Sequence, residues 1–292
     1  MAFCKHYKLQ DIQPTALTLC MFAEFLARSF QSHQSVLNYI SAIRLLHKYL
    51  GVSCEAADSF ELKLVLRGQA LTMDRTLPMK APVTLQMLYG MCRLCEGCGT
   101  NGVVFKCIFL FAWFGFLRIS NVVPPSLSSF DASRHLTVED VFPTELGLAI
   151  TLKWSKTKQT RGRAQFVQLP RLSGHSLCPV AAFDAVARMV PMRPQAPLFR
   201  LPHGSKQVVV TQPMLREAFR LTIKGLGLSE KVYTFHSMRR GGCTFAYGQA
   251  VPLEHIKVHG GWTSDSVFRY IAKKSLETTA QVPRALQKNY YV

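Results

Sequence analysis

The stretch His236-Ser237-Met238-Arg239-Arg240-Gly241-Gly242 places an imidazole three residues before a guanidinium. On a helix that spacing is one turn, so both side chains face the same way. Downstream come Gly260-Gly261-Trp262 and Phe268-Arg269-Tyr270. Upstream lie Phe116-Leu117-Arg118-Ile119-Ser120 and the basic run Lys153-Trp154-Ser155-Lys156-Thr157-Lys158-Gln159-Thr160-Arg161-Gly162-Arg163. Arginine presents a planar, permanently charged fork suited to the oxygens of a phosphate ester. Histidine titrates near neutrality, and an indole N–H can only donate. A phenol has an ordinary pKa of about 10 and becomes a useful nucleophile where cations favour its ionised form.

Each residue has a plainer reading. Arg118 follows the apolar run Ile108–Leu117 and could be a cation closing a helix. Tyr270 could be an amphipathic packing residue, and Tyr290 and Tyr291 share its chemistry but lie in the terminal tail. His-x-x-Arg is a common pattern. Gly241-Gly242 would let a helix approach DNA or another helix closely. The turn lysines and arginines could be solvated charge, or they could bind backbone phosphates without sequence preference.

The whole chain tilts the balance toward a polyanion. It has 292 residues, 48% of them apolar, with a formal net charge of +18. Residues 1–80 carry nine Lys/Arg against six Asp/Glu, whereas residues 81–292 carry twenty-six against eleven. A field of +15 on the second part exceeds what solubility asks for and suits nucleic acid. No basic amphipathic helix stands out for a membrane surface. The longest charge-free apolar run, Cys107–Leu117, is eleven residues, too short to span a bilayer. The start, Met1-Ala2-Phe3-Cys4-Lys5-His6, lacks the apolar core of a signal peptide, so the nine cysteines read as reduced thiols in an intracellular protein. Cys92-x-x-Cys95-x-x-Cys98, with Cys107 beyond, invites a metal reading. The helical apolar spacing of residues 84–117 and the absence of a completing pair at finger spacing favour a buried helix pair, so no metal or other cofactor is expected.

Apolar residues recur at three- and four-residue steps over 16–30, 34–50 and about 59–68, predicting three short helices. Leu71–Val83, with Pro78 and Pro82, reads as a linker. A helical block follows to about 122 and ends at Pro124-Pro125. Leu136–Val138, Gly147–Leu152 and Gln165–Leu169 read as strands around the basic turn. Further helices are expected near 178–190, 211–225, 236–249, 252–258 and 264–273. The fold class is α+β, mostly α-helical.

The ordered set Arg118, Lys156, His236-x-x-Arg239, Trp262 and Tyr270 resembles the tyrosine recombinase (phage integrase) superfamily. The resemblance covers roughly residues 15–275. It implies a helical core-binding (SAM-like) domain over 1–72, shortened at its amino end, a linker over 73–83, and over 84–292 a catalytic domain with a small antiparallel sheet. It implies a DNA recombinase or integrase in which Arg118 and Arg239 hold the scissile phosphate, and Tyr270 forms a 3′-phosphotyrosine link. His236 would move the tyrosine proton, Lys156 (chosen over Lys158 because Ser-Lys-Thr resembles the family's motif) would protonate the leaving oxygen, and Trp262 would contact phosphate where many members have histidine. His259 is a lesser candidate for that place. Lys153, Lys158, Arg161, Arg163, Arg240 and Arg44 are expected to contact DNA. Asn121 stands where many members carry an acid. The forms Ser-Asn-Val-Val-Pro and Gly-Trp-Thr-Ser-Asp-Ser-Val-Phe-Arg-Tyr-Ile look closest to eukaryotic DIRS and Crypton elements, which implies a nuclear location. The implied partner is double-stranded DNA bound by a homotetramer on paired sites, with no membrane, small-molecule substrate, metal or ATP. The rivals are a type IB topoisomerase-like relaxing enzyme, a catalytically silent DNA-binding descendant and a cysteine-metal regulator.

Overall fold

The computed structural model describes residues 2–9, 11–73, 80–154, 164–204 and 206–271. The chain divides into two compact units, Met1–Met79 and Lys80–Val292. In the first, α1 (Ala2–Tyr7), α2 (Ala16–Ser29), α3 (His33–Tyr49) and α4 (Phe60–Met73) are joined by short turns. Thr15 starts α2 by accepting the Thr18 N–H on its hydroxyl at 3.1 Å, satisfying one orphan donor of the first turn. Leu19, Ala23 and Leu26 of α2 pack with Val36, Ile40, Ala57 and Leu62 as a small core.

In the second unit, Thr84 caps α5 (Leu85–Glu96) in the same way through the Met87 N–H. It leads into α6 (Gly99–Phe114), where every residue from Cys107 to Trp113 is buried. A helix apolar all round is stable only when surrounded. Here α5, α8 (Pro179–Met189) and α10 (His236–Gly248) pack on it. The short α7 (Ile119–Val122) follows at its end, while α9 (Gln212–Gly225) packs on α5 and α11 (Leu253–Gly260) on α10. Strands β1 (Val141–Thr144), β2 (Gly147–Leu152) and β3 (Gln165–Pro170) form an antiparallel sheet in that order. Leu148 pairs with Leu169 and Ile150 with Val167. A second hairpin joins β4 (Arg200–His203) to β5 (Lys206–Val209).

Several sequence expectations shift. Leu136–Val138 is not a strand: the buried Asp140 carboxylate accepts both the Thr137 N–H (2.8 Å) and hydroxyl (2.7 Å), curling Val138–Asp140 into a 3-10 turn before β1. The β4–β5 hairpin was not anticipated. Asp265–Arg269 is a 3-10 turn, with Ser264 capping Ser266, where a helix over 264–273 was expected. α4 extends to Met73, past the expected end near 68. Of the expected linker, residues 74–79 lie outside the described residues. Ala81 and Val83 donate to the carbonyls of Val232 and Ser237, which ties the end of that segment to the start of α10.

Cys92, Cys95 and Cys107 are buried in the main core. Burial, more than their neighbours' charge, pushes the Cys92 and Cys95 thiols up to about 12. No group of three His, Cys, Asp or Glu among the described residues is placed to hold a metal, and none of the described helices is long and apolar enough to cross a membrane.

The glycine pair in α10 sets how near that helix comes to the Val83 backbone and to α6. A Cβ on Gly241 would stand 1.9 Å from the Val83 carbonyl oxygen, and one on Gly242 would stand 2.0 Å from that of Trp113. Both obstacles are backbone. Gly241→Ala or Gly242→Ala is therefore expected to destabilise the protein by about 1–3 kcal/mol or more. Gly248→Ala, at the end of the same helix with nothing within 4 Å, should be neutral or mildly stabilising. Thermal melts of the three variants check this ordering.

Candidate active site

The site is built where α6 ends. Gly115 is the last helical cap, and the chain reverses at Phe116, whose φ of 50° lies in the left-handed region. The Leu117 N–H returns to the Ala112 carbonyl at 3.0 Å, a Schellman-type closure in which glycine usually takes the reversed position. A phenylalanine there costs about 1–2 kcal/mol. Its buried ring compensates by packing 4.7 Å from His259 and 6.4 Å from Trp262. The reversal delivers Arg118, half-buried, as the N-cap of α7.

Arg239 occupies the centre. It is 2% exposed, yet no carboxylate pairs with it among the described residues. Nη1 donates to the Phe116 carbonyl and Nη2 to the Gly260 carbonyl at 2.8 Å. The guanidinium carbon lies 3.7 Å from the Trp262 ring centroid and 5.2 Å from that of Tyr270. A charged group stacked on indole and satisfied by backbone dipoles gains cation–π attraction, which offsets part of its desolvation. Burial first, and Arg118 second, push its pKa down to about 9, so it stays charged at neutral pH. Its Nε and the Trp262 Nε1 are buried without a hydrogen-bond partner.

Tyr270 closes the site from the end of the Asp265–Arg269 turn. Its ring stands 4.9 Å from both the His236 and the Trp262 rings. Gly261, with φ of 68°, makes the turn that swings Trp262 under Arg239. His236, the first residue of α10, sits at the solvent-exposed rim. Crowding by protein atoms, then the charges of Arg239, Arg118 and Arg240, push its pKa down to about 4. Part of the ring reaches water, and three guanidinium groups stand near it. The arrangement therefore offers clustered cations, a neutral imidazole, a phenol and two unused buried N–H donors.

Not every expected residue joins it. Lys156, Lys158, Arg161 and Arg163 lie outside the described residues. The Lys153 ammonium, expected to contact DNA, is instead held by Asp140 (2.9 Å), Glu139 (3.6 Å), the Ala132 carbonyl (2.9 Å) and the Thr137 hydroxyl (3.1 Å). The Asp140 carboxylate, the Ala132 carbonyl and the Thr137 hydroxyl take its three N–H donors in this structure. Arg44, in the first unit, donates to the Ala57 carbonyl and pairs with Asp58 at 3.0 Å. Arg240, expected to contact DNA, is buried. His259 donates to the Phe114 carbonyl at 2.9 Å, so its ring supports the end of α6 instead of replacing Trp262. Sequence reading missed Phe116 altogether: the adjacent Gly115 marks a helix end, but nothing in the chain says that a phenylalanine takes the reversed position.

The depressed pKa of His236 has a pH signature. A base whose folded pKa lies below its unfolded value, about 6.5, contributes stability above that value and loses it as pH falls toward 4. A ring-proton NMR titration of the DNA-free protein should show a midpoint more than one unit below 6.5. Arg239→Met should move it upward by removing one charge, whereas a wild-type midpoint at 6.5 or above contradicts this electrostatic account.

No family model matches the chain, and no curated protein does. Solved structures do. The Tn1549 transposon integrase in complex with transposon right end DNA is similar with a TM-score of 0.61 at 14% identity, over 94% of this chain and 87% of that one. The same integrase in complex with a circular intermediate DNA gives 0.59 at 15% identity, over 92% and 85%. XerH site-specific recombinase bound to palindromic difH substrate gives 0.50 at 14% identity, over 87% and 72%. At such identities the likeness is one of fold. The chain has the mostly helical architecture with a small antiparallel sheet of the tyrosine recombinases.

Proposed function

We propose that this chain is a site-specific DNA recombinase that cleaves and rejoins strands through a 3′-phosphotyrosine link at Tyr270. The observation that carries the reading is the buried Arg239 guanidinium, unpaired with any carboxylate among the described residues. It lies beside a buried Trp262 N–H that also lacks a partner. Buried charge and buried donors are costly unless satisfied. A phosphodiester satisfies both, because its non-bridging oxygens accept from several donors at once.

In the proposed reaction the Tyr270 oxygen forms a bond to phosphorus while the bond from phosphorus to the 5′ oxygen breaks. Arg118 and Arg239 stabilise the extra negative charge of the pentavalent state. The phenol proton passes to His236, whose proton affinity rises when phosphate brings negative charge beside it. The departing 5′ oxygen takes a proton from Lys156. Attack by a partner strand's 5′ hydroxyl on the phosphotyrosine reverses these steps, so one ester replaces another and no ATP is consumed. The same reading extends to four protomers on paired DNA sites. It also extends to kinship with eukaryotic DIRS and Crypton elements, and hence to a nuclear location.

Nicked duplexes that trap the covalent state, drawn from a library that includes sequence flanking the gene, test the reading. In EDTA the wild type is expected to give an SDS-stable protein–DNA adduct that Tyr270→Phe lacks. Arg239→Ala should lower adduct formation by about 10²–10³-fold. Salt-sensitive DNA retention without any adduct would instead support the catalytically silent DNA-binding alternative.

A further inference from the structure

The β2–β3 pair, between whose strands the basic run falls in sequence, is tied at the exit of β2 and at the start of β3 by neutral carboxamides. At the end of β2, Asn121, 4% exposed, accepts the Arg118 N–H on its amide oxygen at 3.1 Å. It donates its amide N–H to the Trp154 carbonyl, also at 3.1 Å. One side chain thus joins the backbone that presents Arg118 to the strand exit two residues before Lys156. At the start of β3, Gln165 pairs with Leu152 across the ladder and donates to the His259 carbonyl at 2.8 Å. That carbonyl immediately precedes the Gly260–Trp262 turn. Gly261 admits the contact, since a Cβ there would lie 2.2 Å from the Gln165 amide oxygen. Lys153, next to the Trp154 tie, is anchored to Asp140.

We propose that Asn121 and Gln165 are positioning residues, which hold the exit of β2 and the start of β3 against the Arg118 and Trp262 segments. The proposal rests on the phosphotyrosine reading for its chemical consequence. The requirement is specifically for an amide. A carboxylate at 121 would still accept the Arg118 N–H but would have no proton for Trp154, and two oxygens would then face each other. The acid that many tyrosine recombinases carry at this place therefore could not make this joint in its ionised form. A residue that aligns a catalytic group without touching substrate typically accounts for a 10- to 100-fold effect.

Asn121→Asp and Gln165→Glu test it, since each keeps side-chain size. Two readings are taken on each variant. The first needs no activity: hydrogen exchange at the Leu152, Lys153, Trp154 and Gln165 amides should accelerate while the global thermal transition remains. Unchanged exchange overturns the joint. The second uses nicked duplexes whose scissile 5′ oxygen is replaced by sulfur, since a thiolate leaves without being protonated (a cysteine thiol has a pKa of about 8.5). On the ordinary substrate each variant is expected to form adduct about 10- to 100-fold more slowly with unaltered DNA retention. On the sulfur substrate most of the lost rate should return, because the misplaced hairpin no longer has to supply a proton. Equal slowing on both substrates would overturn the hairpin's role and place the defect at the arginines. A wild type that forms no adduct on either substrate refutes the phosphotyrosine reading, while the exchange measurement still decides the joint. Should Asn121→Asp fail to fold, Gln165→Glu at the half-buried opposite foot gives the same two readings.

Discussion

The guanidinium of Arg239 is the point on which the second unit depends. It is charged, enclosed, and satisfied by carbonyls that belong to two distant stretches, Phe116 and Gly260. Those hydrogen bonds close loops of more than a hundred and of about twenty residues around one side chain. Trp262 stacks on the same group, and Tyr270 lies across it. Replacing such a group by a merely apolar one would leave three turns without their common anchor. Breaking one partner would strand a buried charge, which is among the costlier single changes a protein can suffer.

Packing brings that charge to its place. α6 is apolar on every side and must be surrounded, and Gly242 lets α10 lie directly on its backbone while Gly241 lets it meet the Val83 carbonyl. Arg239 and Arg240 precede that glycine pair, so the close approach that seals the core also carries the cations inward. Tyr270 rests on its own small cluster of Phe116, Cys243, Ile256, Trp262, Val267 and Ile271, distinct from the main core. Trp262 and Tyr270 therefore rest on a floor separate from the main core. The electrostatics follow from the same geometry. With cations gathered and no carboxylate against Arg239 among the described residues, the imidazole of His236 is held neutral.

Long amphipathic stretches were legible in the chain because a period of three to four residues reports burial directly. α2, α3, α8, α9 and α10 fall within a residue or two of where that spacing puts them. Short segments were less so. Leu136–Val138 has strand-like composition, yet the Asp140 side chain competes for its backbone and curls it. Arg200–His203 and Lys206–Val209 are too short and too mixed to announce a hairpin. The stretch ending at Tyr270 has helical spacing, but a capped 3-10 turn takes its place.

For the site itself, residue type alone determined what the groups are able to do: two guanidinium groups, an imidazole, an indole and a phenol can serve a phosphate ester wherever they meet, since these are properties of single side chains. That Arg118, His236, Arg239, Trp262 and Tyr270 belong to one site came from resemblance. What only the tertiary structure decided was how they are held and which neighbours are spent elsewhere. The Lys153 ammonium is consumed by Asp140 and Glu139, and His259 supports a helix end. Phe116 takes a glycine-like backbone, and Asn121 and Gln165 tie strand to turn. These depend on distances between stretches tens of residues apart, and sequence spacing carries no record of such distances: hydrogen bonds reach about 3 Å and are fixed only when the core closes.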